Sequence, residues 1–273
     1  MKVSHEVPVA LIKSSPQFNH YDYCLPHLLD QNEDYLNYFK WAKENDRYII
    51  MDNSLHELGH AYDTDRLLHW VEYFEPNEFI VPDVWQDMEA SLENAAKWAT
   101  IKLPYYTTKV AVVQARSIEE AAECYTKYKI LGYRKIAFSY GANYYQDHFP
   151  HPITAIAASM GRVAVISKLF KDKVIETNDR VHLLGCAAPQ EFNFYHYMPF
   201  VETIDTSNPI MAGIEGLEYT KNGLLTKPKI KIRVNYTCTN TTYFTTKFAN
   251  NICNIVIKII SSKSFKCINT HHI

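Results

Sequence analysis

Residues 47–53 read Arg47-Tyr48-Ile49-Ile50-Met51-Asp52-Asn53. An apolar run of this length, opened by a charge and closed by a carboxylate and an amide, predicts a short strand covered on both faces. The same design recurs along the chain. Glu78–Pro82 ends in Asp83, Lys109–Val113 in Gln114, Lys135–Phe138 in Ser139-Tyr140-Gly141, and Val201–Ile204 in Asp205. With Val7–Lys13 and Arg180–Cys186, seven strands are expected.

Between these runs lie amphipathic stretches. Asn32–Asn45 sets Tyr35, Tyr38, Phe39 and Ala42 at helical spacing, and Asp65–Phe74 does the same with Leu67, Leu68, Val71 and Phe74. Asp87–Thr100, Ser117–Leu131 and Pro152–Phe170 follow, and Ser117 with Glu119 and Glu120 makes a good helix start. Strand–helix alternation means a parallel sheet, so the expected class is α/β, a (β/α)8 TIM-like barrel. A closed barrel needs eight strands. The eighth is missed, distorted or lost in the tail. No internal repeat or long linker divides the body, so one barrel domain over 1–234 is expected, with 235–273 as a separate tail.

The chain has 273 residues, 47% hydrophobic and 21% charged, which suits a packed globular body rather than disorder. Its net charge of −2 is unevenly spread. From Tyr219 onward there are nine Lys or Arg and no Asp or Glu, leaving 19 basic against 30 acidic residues before it. A basic tail can contact nucleic acid. After Val234 the composition narrows to Asn, Thr, Ile, Lys, Ser and Phe, which reads as a degraded or frame-shifted segment. Its apolar run Ile252–Ile260 is too short to span a bilayer, so no membrane partner is expected. The six cysteines (24, 124, 186, 238, 253 and 267) are irregularly spaced, and no secretory signal opens the chain. Reduced thiols and a cytoplasmic location are expected. Cys238, Cys253, Cys267, His271 and His272 fit no common zinc spacing, and neither metal nor cofactor is expected.

In a parallel barrel every strand's C-terminal end faces one mouth, and that mouth holds the active site. Asp52, Asp83, Gln114 and Asp205 would converge there. An Asp after a strand often merely caps the next helix. Asp87 and Ser207 are better placed for that duty than Asp83 and Asp205.

Taken in order, Met51-Asp52-Asn53-Ser54, Val113-Gln114, Ser139-Tyr140-Gly141-Ala142, His182-Leu183-Leu184-Gly185 with Pro189, and Ile204-Asp205 with Pro209 and Gly216 resemble the tRNA-guanine transglycosylase superfamily. The resemblance runs from about Arg47 to Gly216. It is closest to the short, phage-type members associated with inserting 7-deazaguanines into DNA. The resemblance implies Asp205 as nucleophile and Asp52 as the carboxyl that manages protons. It implies Asp83 and Gln114 as readers of the guanine edge, Gly141 as the point of close backbone approach, and His56 and Leu184 as walls on either face of the base. Thr206, Ser207 and Asn208 are the expected hydrogen-bond donors to Asp205. The expected partners are nucleic acid, a 7-deazaguanine base such as the 7-cyano form, and accessory DNA-modification proteins. The expected location is then a host cytoplasm. The chain departs from the tRNA enzymes in two ways. Residues 206–213 contain no arginine, and the cysteine-rich zinc site is absent, which favours DNA over tRNA. The best basic group before the tail is Arg162, Lys168, Lys171 and Lys173.

A competing motif is His56-Glu57-Leu58-Gly59-His60, which fits the H-E-x-x-H zinc-peptidase signature. It requires both histidines on one helical face, with Glu57 activating water. Asp63 and Arg66 stand where an extended signature wants Gly and His.

Overall fold

The computed structural model describes residues 1–104, 106–220 and 223–224. Eight parallel strands alternate with helices in a nearly closed barrel. They are β1 (Lys2–His5), β2 (Asp22–Cys24), β3 (Ile49–Met51), β4 (Glu78–Ile80), β5 (Thr108–Val113), β6 (Lys135–Ser139), β7 (Val181–Leu184) and β8 (Val201–Thr206). The sheet order β1-β8-β7-β6-β5-β4-β3-β2 brings the first two strands to facing edges.

Six of the seven expected strands form. Val7–Lys13 does not: Val9–Gln17 is a 3-10 segment containing Pro16. The strands that complete the set lie on either side of it, so the eighth strand is not in the tail. The expected tail, 235–273, lies outside the described residues.

The seam between β1 and β2 is stitched by side chains. Asn19 Oδ1 accepts from the His5 backbone N–H (2.6 Å) and Asn19 Nδ2 donates to the His5 carbonyl (3.0 Å). His20 N–H donates to the Val3 carbonyl, and the Val3 N–H donates to His20 Nδ1. The two edges thus satisfy each other's backbone groups without a ladder.

The five expected amphipathic stretches form α2 (Glu33–Glu44), α4 (Thr64–Phe74), α5 (Met88–Thr100), α6 (Ile118–Ile130) and α8 (Thr154–Lys171), and the shorter helices α1 (Pro26–Gln31), α3 (Leu55–Leu58), α7 (Tyr145–His148), α9 (Phe192–Tyr195) and α10 (Asn208–Ile214) stand where none was expected. Asn32, Asp63, Asp87 and Ser117 each accept a backbone N–H at a helix start, satisfying donors that have no intrahelical partner.

Strand alternation sorts the core into two shells. Met51, Phe79, Val81, Val113, Phe138, Leu183 and Ile204 pack outward against helices. Tyr21, Ile50, Ile80, Val110, Val112 and Ala137 fill the bore. Each buried large side chain contributes roughly 1.5–3 kcal/mol. The inward positions next below, at the strand starts, carry charge. Lys135 Nζ pairs with Glu78 (2.6 Å) and Glu202 (3.1 Å), and Arg180 with the same two carboxylates. Tyr48 donates to Glu78 (2.7 Å). This paired network closes the lower end, which leaves the upper end as the open one.

Candidate active site

The same alternation, continued upward, decides which side chains meet at the mouth. On β8, Thr203 and Asp205 point inward. On β7, His182 and Leu184 do. On β5, Gln114 follows Val110 and Val112, and on β3, Asp52 follows Ile50. Asp52, Asp83, Gln114 and Asp205 are all buried.

Asp52 receives two donors. Tyr23 Oη donates to Oδ1 (2.8 Å) and the Ser54 N–H to Oδ2 (2.9 Å). Burial nevertheless raises its carboxyl above the usual range, and the Asp205 charge adds to the rise. Asp83 sits between two amides: Asn53 Nδ2 donates to Oδ1 (2.7 Å) and Gln114 Nε2 to Oδ2 (2.5 Å). Burial pushes it up to about 6 against the pull of those donors. Gln114 is itself oriented, because its Oε1 accepts from the Gln86 N–H (2.9 Å).

Asp205 takes its donors from β7, not from the residues that follow it. His182 Nε2 lies 3.1 Å from Oδ1, and the Gly185 N–H donates to Oδ2 at 3.2 Å. The expectation for Thr206, Ser207 and Asn208 is corrected here. The Asn208 N–H turns back to Thr206 Oγ1 (3.1 Å), and Asn208 Oδ1 accepts from Tyr219 Oη. Since a carboxylate only accepts, His182 Nε2 carries a proton toward Asp205, while Nδ1 lies 2.8 Å from Thr203 Oγ1, which holds the ring in plane. Gly185 adopts φ +64°, and a Cβ there would meet Tyr140 at 2.4 Å. Only glycine can aim its N–H this way beneath that ring.

His182 and Tyr23 stack across the bore, with centroids 6.0 Å apart and planes 18° apart. They join the two carboxylates through one aromatic pair: Asp52 on the Tyr23 hydroxyl, Asp205 on the His182 imidazole. Neither Tyr23 nor His182 was assigned a role from sequence. The signal for His182 was present, because it sits two residues before Leu184 on the same face of β7.

The rim is aromatic. Tyr140 meets the edge of His56 (centroids 5.7 Å, planes 66° apart). Trp85, 44% exposed, lies against Gly141, where an added Cβ would stand 3.2 Å from the indole edge. The lack of a side chain at Gly141 therefore admits Trp85. Leu184 closes the floor against the bore cluster.

The H-E-x-x-H geometry is not formed. Helix α3 ends at Leu58, and Gly59 caps it in the left-handed conformation with φ +78°. His60 therefore leaves the helix, and its Nδ1 lies 2.9 Å from the Ala61 carbonyl. The two imidazoles do not share a helical face. Among the described residues no group of three or more His, Cys, Asp or Glu could hold a metal ion. Glu57 turns instead toward the mouth. Partial desolvation there, with Asp52 and then Asp205 as like charges, holds this exposed side chain's carboxyl above the usual range.

The basic group expected around α8 is also corrected. Arg162 is wholly buried, paired with Glu191 at 2.7 Å. Lys168 pairs with Asp172 (2.6 Å) at the C-terminal end of α8, which leads back to the start of β7 and so lies away from the mouth. No helix among the described residues is long and apolar enough to cross a membrane.

A scan against models of protein families and a search of curated proteins both return no match.

Proposed function

We propose that the chain is a nucleic-acid guanine transglycosylase that exchanges guanine for a 7-deazaguanine base, with DNA favoured over tRNA. One observation carries the reading. Two buried carboxyls with separate donor sets, Asp205 and Asp52, share one barrel mouth with an Asp83–Gln114 pair shaped to accept and donate along a base edge.

The chemistry balances as a double displacement. Asp205 attacks the anomeric carbon; the bond from that carbon to guanine N9 breaks, and N9 takes a proton from Asp52. The incoming base returns its N9 proton to Asp52, attacks the same carbon, and the Asp205 ester bond breaks. Two inversions retain configuration. The raised carboxyl of Asp52 suits a group that must hold and release a proton. Asp83, once ionised, accepts from guanine N1–H and the exocyclic amine. The second Nε2–H of Gln114 is left for the carbonyl edge. Adenine would leave these buried groups unpaired. His56, Leu184 and Trp85 supply surfaces for stacking, and the target base must leave its own stack to reach them.

The deciding experiment is exchange of labelled guanine into DNA and into tRNA, with and without 7-cyano-7-deazaguanine as competitor. Incorporation into DNA above tRNA is expected. Greater labelling of tRNA reverses the polymer preference, and no labelling of either removes the proposal.

The Asp83 carboxyl sets a pH dependence. It must be ionised to accept, and it titrates at about 6. Guanine binding should therefore be constant at higher pH and weaken by about tenfold per unit below that point. Calorimetric titration of guanine from pH 5 to 8 checks this. Asp83→Asn should bind weakly with no such slope, and a flat wild-type profile would contradict the role given to Asp83.

A further inference from the structure

Strand β1 brings a carboxylate to the mouth that the double displacement does not use. Glu6 follows His5 directly, and its N–H donates to the Thr206 carbonyl at 3.2 Å, extending the β1–β8 pairing by one residue. In that register Ser4 lies opposite Asp205. Glu6, two residues on, falls on the same inward side. Its carboxyl lies within hydrogen-bonding contact of the Asp205 carboxyl.

Two carboxyls in contact cannot both be ionised at modest cost, so the pair keeps one proton. The donors decide where it sits. Asp205 accepts from His182 Nε2 on one oxygen and from the Gly185 N–H on the other. Among the described residues no nitrogen or hydroxyl donates to the Glu6 carboxyl. A negative charge is thus solvated by the protein at Asp205 and not at Glu6. The surroundings agree from every side. Asp52 and Glu57 face Glu6 as like charges from beyond β3 and from α3. Tyr21 just before β2, Tyr23 of β2, Tyr35 of α2 and Tyr140 beyond β6 face it as neutral phenols, each held up by burial. Below the pair, Ser4 Oγ and Tyr21 Oη are buried and make no hydrogen bond.

We infer that Glu6 is a positioning residue for Asp205: its carboxyl carries a proton at neutral pH and donates it to the Asp205 carboxylate, so that Asp205 is the member of the pair left charged. The proton assignment rests on the β1–β8 register, on the contact of the two carboxyls and on the donors that Asp205 has and Glu6 lacks. Its consequence for exchange rests on the transglycosylase reading. Partial burial and the Asp205 charge both hold the Glu6 carboxyl above its usual range, in the same direction. As pH rises through that raised value the proton leaves, the pair repels itself, and Asp205 loses its hold. Exchange should therefore fall on the alkaline side.

Infrared difference spectra of the full chain test the assignment directly. Wild type minus Glu6→Gln at pH 7 should contain the C=O stretch of one protonated carboxyl. The contributions of Asp52, Glu57 and Asp83 cancel in the difference. Glu6→Met, similar in volume and uncharged, gives the same difference should the glutamine variant misfold. A difference containing only carboxylate bands overturns the inference. The second arm is labelled-guanine exchange from pH 6 to 10. The alkaline fall of wild type should be absent in Glu6→Gln, whose amide keeps a donor for Asp205 but has no proton to lose in this range. A protonated band with the same alkaline fall in both proteins would overturn the positioning role. A protonated band with no exchange into DNA or tRNA at any pH would leave the assignment standing and remove the functional reading.

Discussion

Asp205→Asn should abolish guanine exchange while leaving the barrel folded. The substitution is nearly isosteric, and an asparagine oxygen can still accept from the Gly185 N–H. That oxygen can also accept from the protonated Glu6 carboxyl, so the thermal midpoint should move little. Chemistry is another matter. A neutral amide cannot form the glycosyl ester, and loss of a nucleophile typically costs on the order of 10⁴-fold or more. The residual rate should not recover with pH. Asp52→Ala should also slow turnover, by about 10²–10⁴-fold, since only proton transfer is lost, and it can still accumulate the covalent intermediate. Mapping that adduct by peptide mass should place it on Asp205. Exchange in Asp205→Asn within tenfold of wild type, or an adduct on Asp52 or Asp83, would refute the mechanism.

Arg162→Met should be the most damaging single change to stability. Arg162 is wholly buried on α8, with its guanidinium beneath the mouth. Nε and Nη2 donate to Glu191 Oε2 (3.0 and 2.7 Å), Nη2 also donates to the Gly185 carbonyl (2.8 Å), and Nη1 donates to the Phe138 and Leu184 carbonyls (3.3 and 3.0 Å). Methionine fills part of the volume and strands a buried Glu191 carboxylate, which keeps the Tyr195 hydroxyl (2.6 Å) as a donor but no cation. Breaking one side of such a pair costs about 3–5 kcal/mol. For a chain of this size that lowers the thermal midpoint by roughly 10 °C. Removing both charges with Arg162→Met and Glu191→Gln should recover part of the loss. Because Gly185 is held through its carbonyl by Arg162 and through its N–H by Asp205, the single variant should also lose exchange out of proportion to its unfolded fraction. A midpoint shift under 2 °C would show that the ion pair is not what holds the β6 and β7 ends.

Several features were legible in the chain because their causes are local. Strands covered on both faces appear as continuous apolar runs, and Ile49–Met51, Glu78–Ile80 and Val201–Thr206 all form where such runs stand. Parallel strands share one polarity, so the polar residues closing them had to converge. Asp52, Asp83, Gln114 and Asp205 do so. Helix starts were equally plain, since a cap is a contact over three residues, as at Ser117.

What escaped has equally definite reasons. Strands β1, Lys2-Val3-Ser4-His5, and β2, Asp22-Tyr23-Cys24, are short and largely polar, so neither presents the apolar run that marks the others. The 3-10 segment between them carries the apolar residues that imitate a strand. β1 exists because β8, some two hundred residues away, supplies its ladder, and Glu6 enters the site only through that pairing. His56 and His60 match a metal motif as letters, but the left-handed turn at Gly59 separates them. Residue type and spacing therefore determined the barrel and the carboxylates at its mouth. Which donor serves which carboxylate, which of two touching acids keeps the proton, and how the last seam closes depended on contacts between strands. Those contacts are fixed by the register of pairing across the barrel, and no local stretch of chain carries that information.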